Sequence, residues 1–337
     1  MNSRWQSLIG HDWAVQLLTA AITHGRIGHA YLFTGPAHIG KITLARLFTQ
    51  ALNCLDHNPQ QRPCGICRPC QLIANDRHSD VHILTPELSS RGIPSIKINA
   101  IRELQRDLQL TAAEGRYKIA IIRQFDAANI NAANAFLKTL EEPPNNVILL
   151  LTATDADALL DTIRSRCRTI QLRPLATADI ETALQTRWQL PPAEAQTLAH
   201  IANGRLGWAL RAHHDPTLQA TRQTHLDHLD TTLQGDHIIR FNLADKLAKK
   251  AADLPPLLQT WVSWWHDLIL LQTGRPLGHL TNIDRQTTLN QYAQTLTPAQ
   301  TLTSLQQTQE TILHLDRNVN TRLALENLFL TYPFPAH

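Results

Sequence analysis

The sequence predicts an α/β nucleotide-type domain on a mostly parallel sheet, then a small helical domain and a larger helical domain. Three observations predict it. Short apolar runs alternate with amphipathic stretches up to about residue 175, a glycine-rich loop follows the first run, and the strand signal stops after Arg173–Pro174. Strands that are apolar along their whole length belong in sheets covered on both faces, with helices as crossovers.

The chain opens on MNSRWQSLIGHD, which is polar and lacks the apolar stretch of a secretory signal. AYLF (30–33), VHIL (81–84), KIAII (118–122), VILLL (147–151) and TIQL (169–172) read as strands. All fall far short of the roughly 20 apolar residues that a membrane-spanning helix needs. Between the first two, Leu44, Leu47, Phe48 and Ala51 repeat on one helical face. Ala133, Phe136, Leu137 and Leu140 share one side of a later helix, which should stop at Glu141–Glu142–Pro143–Pro144 because proline restrains the residue before it.

PPAEAQTLAHIANG (191–204) is a helix opened by proline and closed near a glycine. From about residue 213 the pattern stays helical and rich in Gln, Thr and Leu, with breaks at Pro255–Pro256 and Pro298. Leu257, Leu258, Trp261, Trp264, Trp265 and Leu268 form an apolar stripe there. Core packing accounts for most of it, but three tryptophans in five residues crowd a small core, so at least one is expected at a subunit interface.

At 337 residues the chain is too long for a single core, and 43% apolar with 18% charged residues describes an ordinary folded protein. The net charge of +3 without a basic run permits nucleic acid nearby but does not require contact.

GPAHIGK (35–41) lies between a strand and a helix, the context of a phosphate-binding loop. Gly35 and Gly40 permit the tight path, and Lys41 can reach the phosphates of a nucleotide such as ATP or ADP. The next residue should carry a hydroxyl for Mg²⁺, yet it is Ile42. Thr43 is turned away by about 100° of helix. The strand KIAII should end in acidic residues, and runs instead into Arg123 and Gln124. Asp126, further on, suits a capping or turn role. Phosphate binding is compatible with this loop; magnesium positioning and hydrolysis are not expected.

Cys54, Cys64, Cys67 and Cys70 have the spacing C-x9-C-x2-C-x2-C. Four thiolates suit tetrahedral Zn²⁺ with no open position, which makes the ion a structural staple. The tight spacings also occur around iron–sulfur clusters, though without a redox motif beside them here. Such a cluster points to a reducing compartment, hence the cytoplasm. Cys167 stands alone as a semi-buried small residue.

HAYLFTGPAHIGK (29–41), the cysteine cluster, IRELQRDLQLTAAEGRYKIAII (101–122), NAANAFLKTLEEPP (131–144) and TIRSRCRTIQL (162–172) together resemble the bacterial clamp-loader ATPase family of the AAA+ group. The resemblance covers residues 5–212 closely and the remainder only in length and helical character. It implies an AAA+ P-loop domain at 1–175 with a zinc insert at 54–70, a helical lid at 176–212 and a helical collar at 213–337. Motor members of the family, gamma and tau, hydrolyse ATP. Ile42, Arg123 and Gln124 depart from them, and Gly207 stands where motors place the sensor-2 arginine, with Arg205 two positions early. Thr152 matches the sensor-1 position.

These departures place the chain with the family's rigid, non-hydrolysing members. The resemblance then implies that Arg166, of Ser-Arg-Cys, serves as an arginine finger in a neighbour's ATP site. It also implies gamma/tau and delta subunits as partners in a five-membered ring, which loads a sliding clamp on primed DNA within a DNA polymerase holoenzyme. A gamma/tau-type motor with unusual metal ligands is one alternative. A zinc-bearing nucleic-acid adaptor outside replication is another.

Overall fold

A computed structural model describes residues 5–88, 94–275, 277–316 and 319–334. The chain divides into two compact units, Met1–Leu175 with Arg205–Gly207, and Ala176–Gly204 with Trp208–His337.

The first unit carries strands β1 (Ala30–Thr34), β2 (Val81–Leu84), β3 (Glu87–Leu88), β4 (Pro94–Ser95), β5 (Lys118–Ile122), β6 (Val147–Ala153) and β7 (Arg168–Gln171). Five form one parallel sheet in the order β2-β5-β6-β1-β7, while β3 and β4 make a separate antiparallel pair. The helices are α1 (Asp12–Thr23), α2 (Lys41–Asn53), α3 (Arg68–Ala74), α4 (Ile98–Gln109), α5 (Ile130–Glu141) and α6 (Asp161–Arg164). Every predicted strand is present, and the α/β expectation stands.

Register explains why β1, β5 and β6 are apolar along most of their length. Tyr31 pairs with Leu150 and Ala30 with Leu149, so alternate side chains leave the sheet on opposite faces. Tyr31, Phe33, Ile119, Ile121, Ile148 and Leu150 share a core with α1 and α2. Ala30, Leu32, Ala120, Ile122, Leu149 and Leu151 share the other with α4 and α5. Buried polar residues stand only toward the strand ends: Thr34 closes β1, Lys118 opens β5 and Thr152 is next to last in β6.

Buried polar side chains fix the loop before β5. Burial pushes the Asp80 carboxyl up, but backbone donors from Ala113, Glu114 and Gly115 outweigh it and hold the group below its ordinary value. A Cβ on Gly115 would stand 3.0 Å from the Tyr117 carbonyl and 3.1 Å from Asp80 Oδ2, so glycine is what lets the chain approach.

The second unit is helical: α7 (Thr177–Arg187), α8 (Pro192–Ala202), α9 (Leu206–His214, from Trp208 onward), α10 (Pro216–Gln234), α11 (His237–Ala248), α12 (Leu254–Gln272), α13 (Gln286–Thr295), α14 (Pro298–Asp316) and α15 (Thr321–Thr331). The expectation of an interface tryptophan fails here. Trp261, Trp264 and Trp265 are all buried inside this unit, as are Leu257, Leu258 and Leu268. The facing helix α14 makes room by burying small hydroxyl residues, Thr301, Ser304, Thr308 and Thr311, each donating to the carbonyl four residues back. Trp261 donates to the His225 carbonyl at 2.8 Å, and Trp265 reaches Tyr332 Oη, itself 2.6 Å from Thr308 Oγ1. Arg240, also buried, donates to the carbonyls of Gly235, Phe329, Tyr332 and Pro333 and covers the Phe334 ring. It ties the end of α15 to α11 without any carboxylate.

Candidate functional site

The glycine-rich loop leaves β1 at Thr34 and enters α2 at Lys41. Gly35 has φ 135°, and a Cβ there would meet the Leu172 carbonyl at 2.5 Å; Gly40 caps α2 with φ 111°. Both glycines are required by backbone path. Lys41 turns back on its own loop, donating to the carbonyls of Gly35 and Pro36, the latter at 2.8 Å. Burial lowers its pKa to about 8, against the opposing pull of the Asp126 carboxylate. Ile42 packs against the core and Thr43 is exposed, so neither offers an oxygen to an ion beside the loop.

The end of β5 is equally short of ligands. The Arg123 N–H donates to Leu84 across the sheet, and Gln124 is exposed with φ 49°. Thr152 Oγ1 accepts the Gln124 N–H at 3.0 Å, so this residue braces the turn after β5. Asp126 is not a helix cap. It lies in a short turn, Phe125–Ala127, where Oδ2 accepts the Thr154 N–H at 2.9 Å and Oδ1 is buried without a partner. It is the carboxylate that acts on Lys41, which sequence spacing did not reveal.

Gly207 lies against the same loop, its N–H donating to the His38 carbonyl at 3.0 Å. A Cβ at Gly207 would stand 2.6 Å from that oxygen, so the backbone leaves no room for an arginine at this position. Arg205 is half-buried, and burial lowers its pKa.

The cysteines assemble into one cluster. The Sγ atoms of Cys54, Cys64, Cys67 and Cys70 all lie within 4.8 Å of one another, compatible with thiolates about 3.8 Å apart around a tetrahedral ion. Cys54 follows α2 and Cys70 sits in α3, both buried, while Cys64 and Cys67 are half-buried on the turns between. Backbone N–H groups already point at sulfur: Cys64 N and Asp56 N donate to Cys54, and Cys67 N donates to Cys64. Burial raises Cys64, but donors from Cys67 and Ile66 bring it down to about 7. This donor set fits a metal ion. Cys167, by contrast, is pushed up to about 12 by burial, an inert thiol.

Arg166 follows α6 and is about one-third exposed. Its NH1 donates to the Thr162 carbonyl at 2.7 Å, and its NH2 meets Glu141 Oε1, at the end of α5, at 2.6 Å. The flanking arginines have other tasks. Arg164 pairs with Asp157 and Asp161, and Arg168 donates to the Arg26 carbonyl. Glu141 was missed from sequence. Its signal would have been a carboxylate at a helix C-terminus, where the dipole disfavours negative charge.

Two family models described as DNA polymerase III delta subunit match residues 10–176 and, for the C-terminal region, residues 216–332. The chain belongs to the DNA polymerase III delta-subunit family. Among similar proteins of this family and its relatives, Bacillus subtilis DNA polymerase III subunit delta' is 36% identical over 56% of this chain and 55% of its own length. The delta' subunit of Pseudomonas aeruginosa is 35% identical over 60% of this chain and 61% of its own. Escherichia coli subunit tau is 36% identical over 60% of this chain but 31% of its own length. The matched stretch thus spans at most about three-fifths of these relatives.

Proposed function

We propose that this chain is a delta-prime-type subunit of a DNA polymerase III clamp loader that does not hydrolyse ATP itself. On this proposal it helps open a ring-shaped sliding clamp and load it at primed DNA. Its neighbours are gamma/tau motor subunits and a delta subunit in a five-membered ring, with DNA reached through the complex. The AAA+ domain at 1–175, lid at 176–212 and collar at 213–337 serve that assembly.

One observation carries the proposal: the phosphate loop lacks what holds a metal ion on two sides. Ile42 stands in place of the metal hydroxyl, and Arg123 and Gln124 stand in place of the acids. At a third position Gly207, closed against His38, leaves no side chain where motor members place the sensor-2 arginine. Without a divalent ion at the leaving group, phosphoryl transfer loses its main electrostatic support. Gly35, Gly40 and Lys41 could still cradle ATP or ADP, with Thr152 left as a structural brace. What the subunit contributes instead is Arg166, directed at a neighbour's γ-phosphate.

The cysteine cluster, on this proposal, holds structural zinc through Cys54, Cys64, Cys67 and Cys70. Reduced thiolates of this kind fit the cytoplasm. Among the described residues no helix is long and apolar enough to cross a membrane.

The 36% identity to tau favours a second reading, a motor subunit with altered metal ligands. Lys41→Ala separates the two in the assembled complex. The expected result is a change in total ATP turnover of less than about twofold, since an idle loop gives up no transition-state stabilisation. Collapse of turnover in that variant supports the motor reading instead.

A further inference from the structure

We infer that Glu141 is the positioning residue for Arg166, an inference that rests on the proposed action of Arg166 in trans. The two come from different elements, Glu141 from the last turn of α5 and Arg166 from the turn after α6. Glu141 Oε1 grips NH2 at 2.6 Å, while the Thr162 carbonyl grips NH1 at 2.7 Å. Ser165 Oγ lies 3.4 Å from NH1. A guanidinium has five N–H donors in a rigid fork, so these contacts fix its plane and leave donors to meet an anion.

Glu141 is costly where it stands. It lies at the negative end of the α5 dipole, directly before Glu142, and Pro143 and Pro144 follow. An exposed ion pair contributes little to folding; this one is about one-third exposed at Arg166 and half exposed at Glu141. Stability therefore gives a weak reason for the carboxylate. Aim gives a stronger one. A long side chain free in solvent loses its rotamer freedom on meeting a phosphate, whereas a fork already held on two sides loses less. Arg164 and Arg168 are bound to other groups, so Glu141 serves Arg166 alone among the three arginines.

The test uses the reconstituted clamp-loader complex carrying Arg166→Ala, Glu141→Ala, Glu141→Gln or the double alanine variant. Glu141→Ala is expected to lower kcat for ATP at the adjacent motor site by up to about a hundredfold, the scale of a group misplaced by an ångström, with KM little changed. Glu141→Gln, which keeps the acceptor oxygen, recovers part of the loss. The double variant loses no more than Arg166→Ala alone. Thermal unfolding of the free subunit stays where it was, so the lost turnover is not a lost fold, and recovery by Glu141→Gln is what a merely structural pair would not give. If Arg166→Ala impairs hydrolysis while both Glu141 variants match the wild type, the positioning role is wrong and the arginine finger stands. If Arg166→Ala changes nothing, both fall.

Discussion

Replacing Arg166 with alanine is expected to slow ATP hydrolysis at the adjoining motor site by about a thousandfold, the lower range for an arginine finger. The guanidinium would face the γ-phosphate as negative charge spreads over its oxygens, and neither flanking arginine is placed to substitute. Arg164 is paired with Asp157 and Asp161, and Arg168 reaches the Arg26 carbonyl, so neither can rotate in without breaking its own contacts. Assembly should survive, because the partly exposed Arg166 contributes nothing to either core of the first unit. The checks are single-turnover hydrolysis and clamp loading with a complex whose composition is confirmed by gel filtration. Loading at the wild-type rate removes Arg166 from the mechanism.

Metal removal is the second large effect. A chelator, or Cys70→Ala, should unfold the insert at 54–70 and free α3 from α2. Structural zinc supplies about 10–16 kcal/mol to peptides that fold only around it. Here the ligands come from the end of α2, the turns and α3, so the loss should stay local; β1, β5 and β6 keep their own packing. Limited proteolysis should then cut within 54–70, and metal analysis of the untreated protein should find about one ion per chain. Cys167→Ser should leave both readouts unchanged. Equal protease resistance with and without chelator contradicts the staple.

Much of this was visible in the residues. Strands buried on both faces are apolar at nearly every position, which is why AYLF, KIAII and VILLL announced themselves. The cysteine spacing likewise encoded a cluster, because short turns can bring such thiols together only locally. What stayed hidden depends on distant parts of the chain meeting. Glu141 and Arg166 are 25 positions apart, and Asp126 meets Thr154 only through the register of β5 beside β6. The tryptophans misled for the same reason. Their bulk is absorbed by small hydroxyl residues on α14, some 40 positions downstream, a pairing that the local spacing of the tryptophans cannot show. Gly207 looked like a missing arginine and proved also to be a close approach, legible only once His38 stood opposite.

Steady-state ATP turnover by the purified chain, with and without magnesium, tests the central claim most directly. The account predicts no magnesium-dependent hydrolysis above background, because Ile42, Arg123 and Gln124 put neither a hydroxyl nor an acid at the positions that would hold the ion. Sustained turnover that vanishes on magnesium removal and on Lys41→Ala contradicts it.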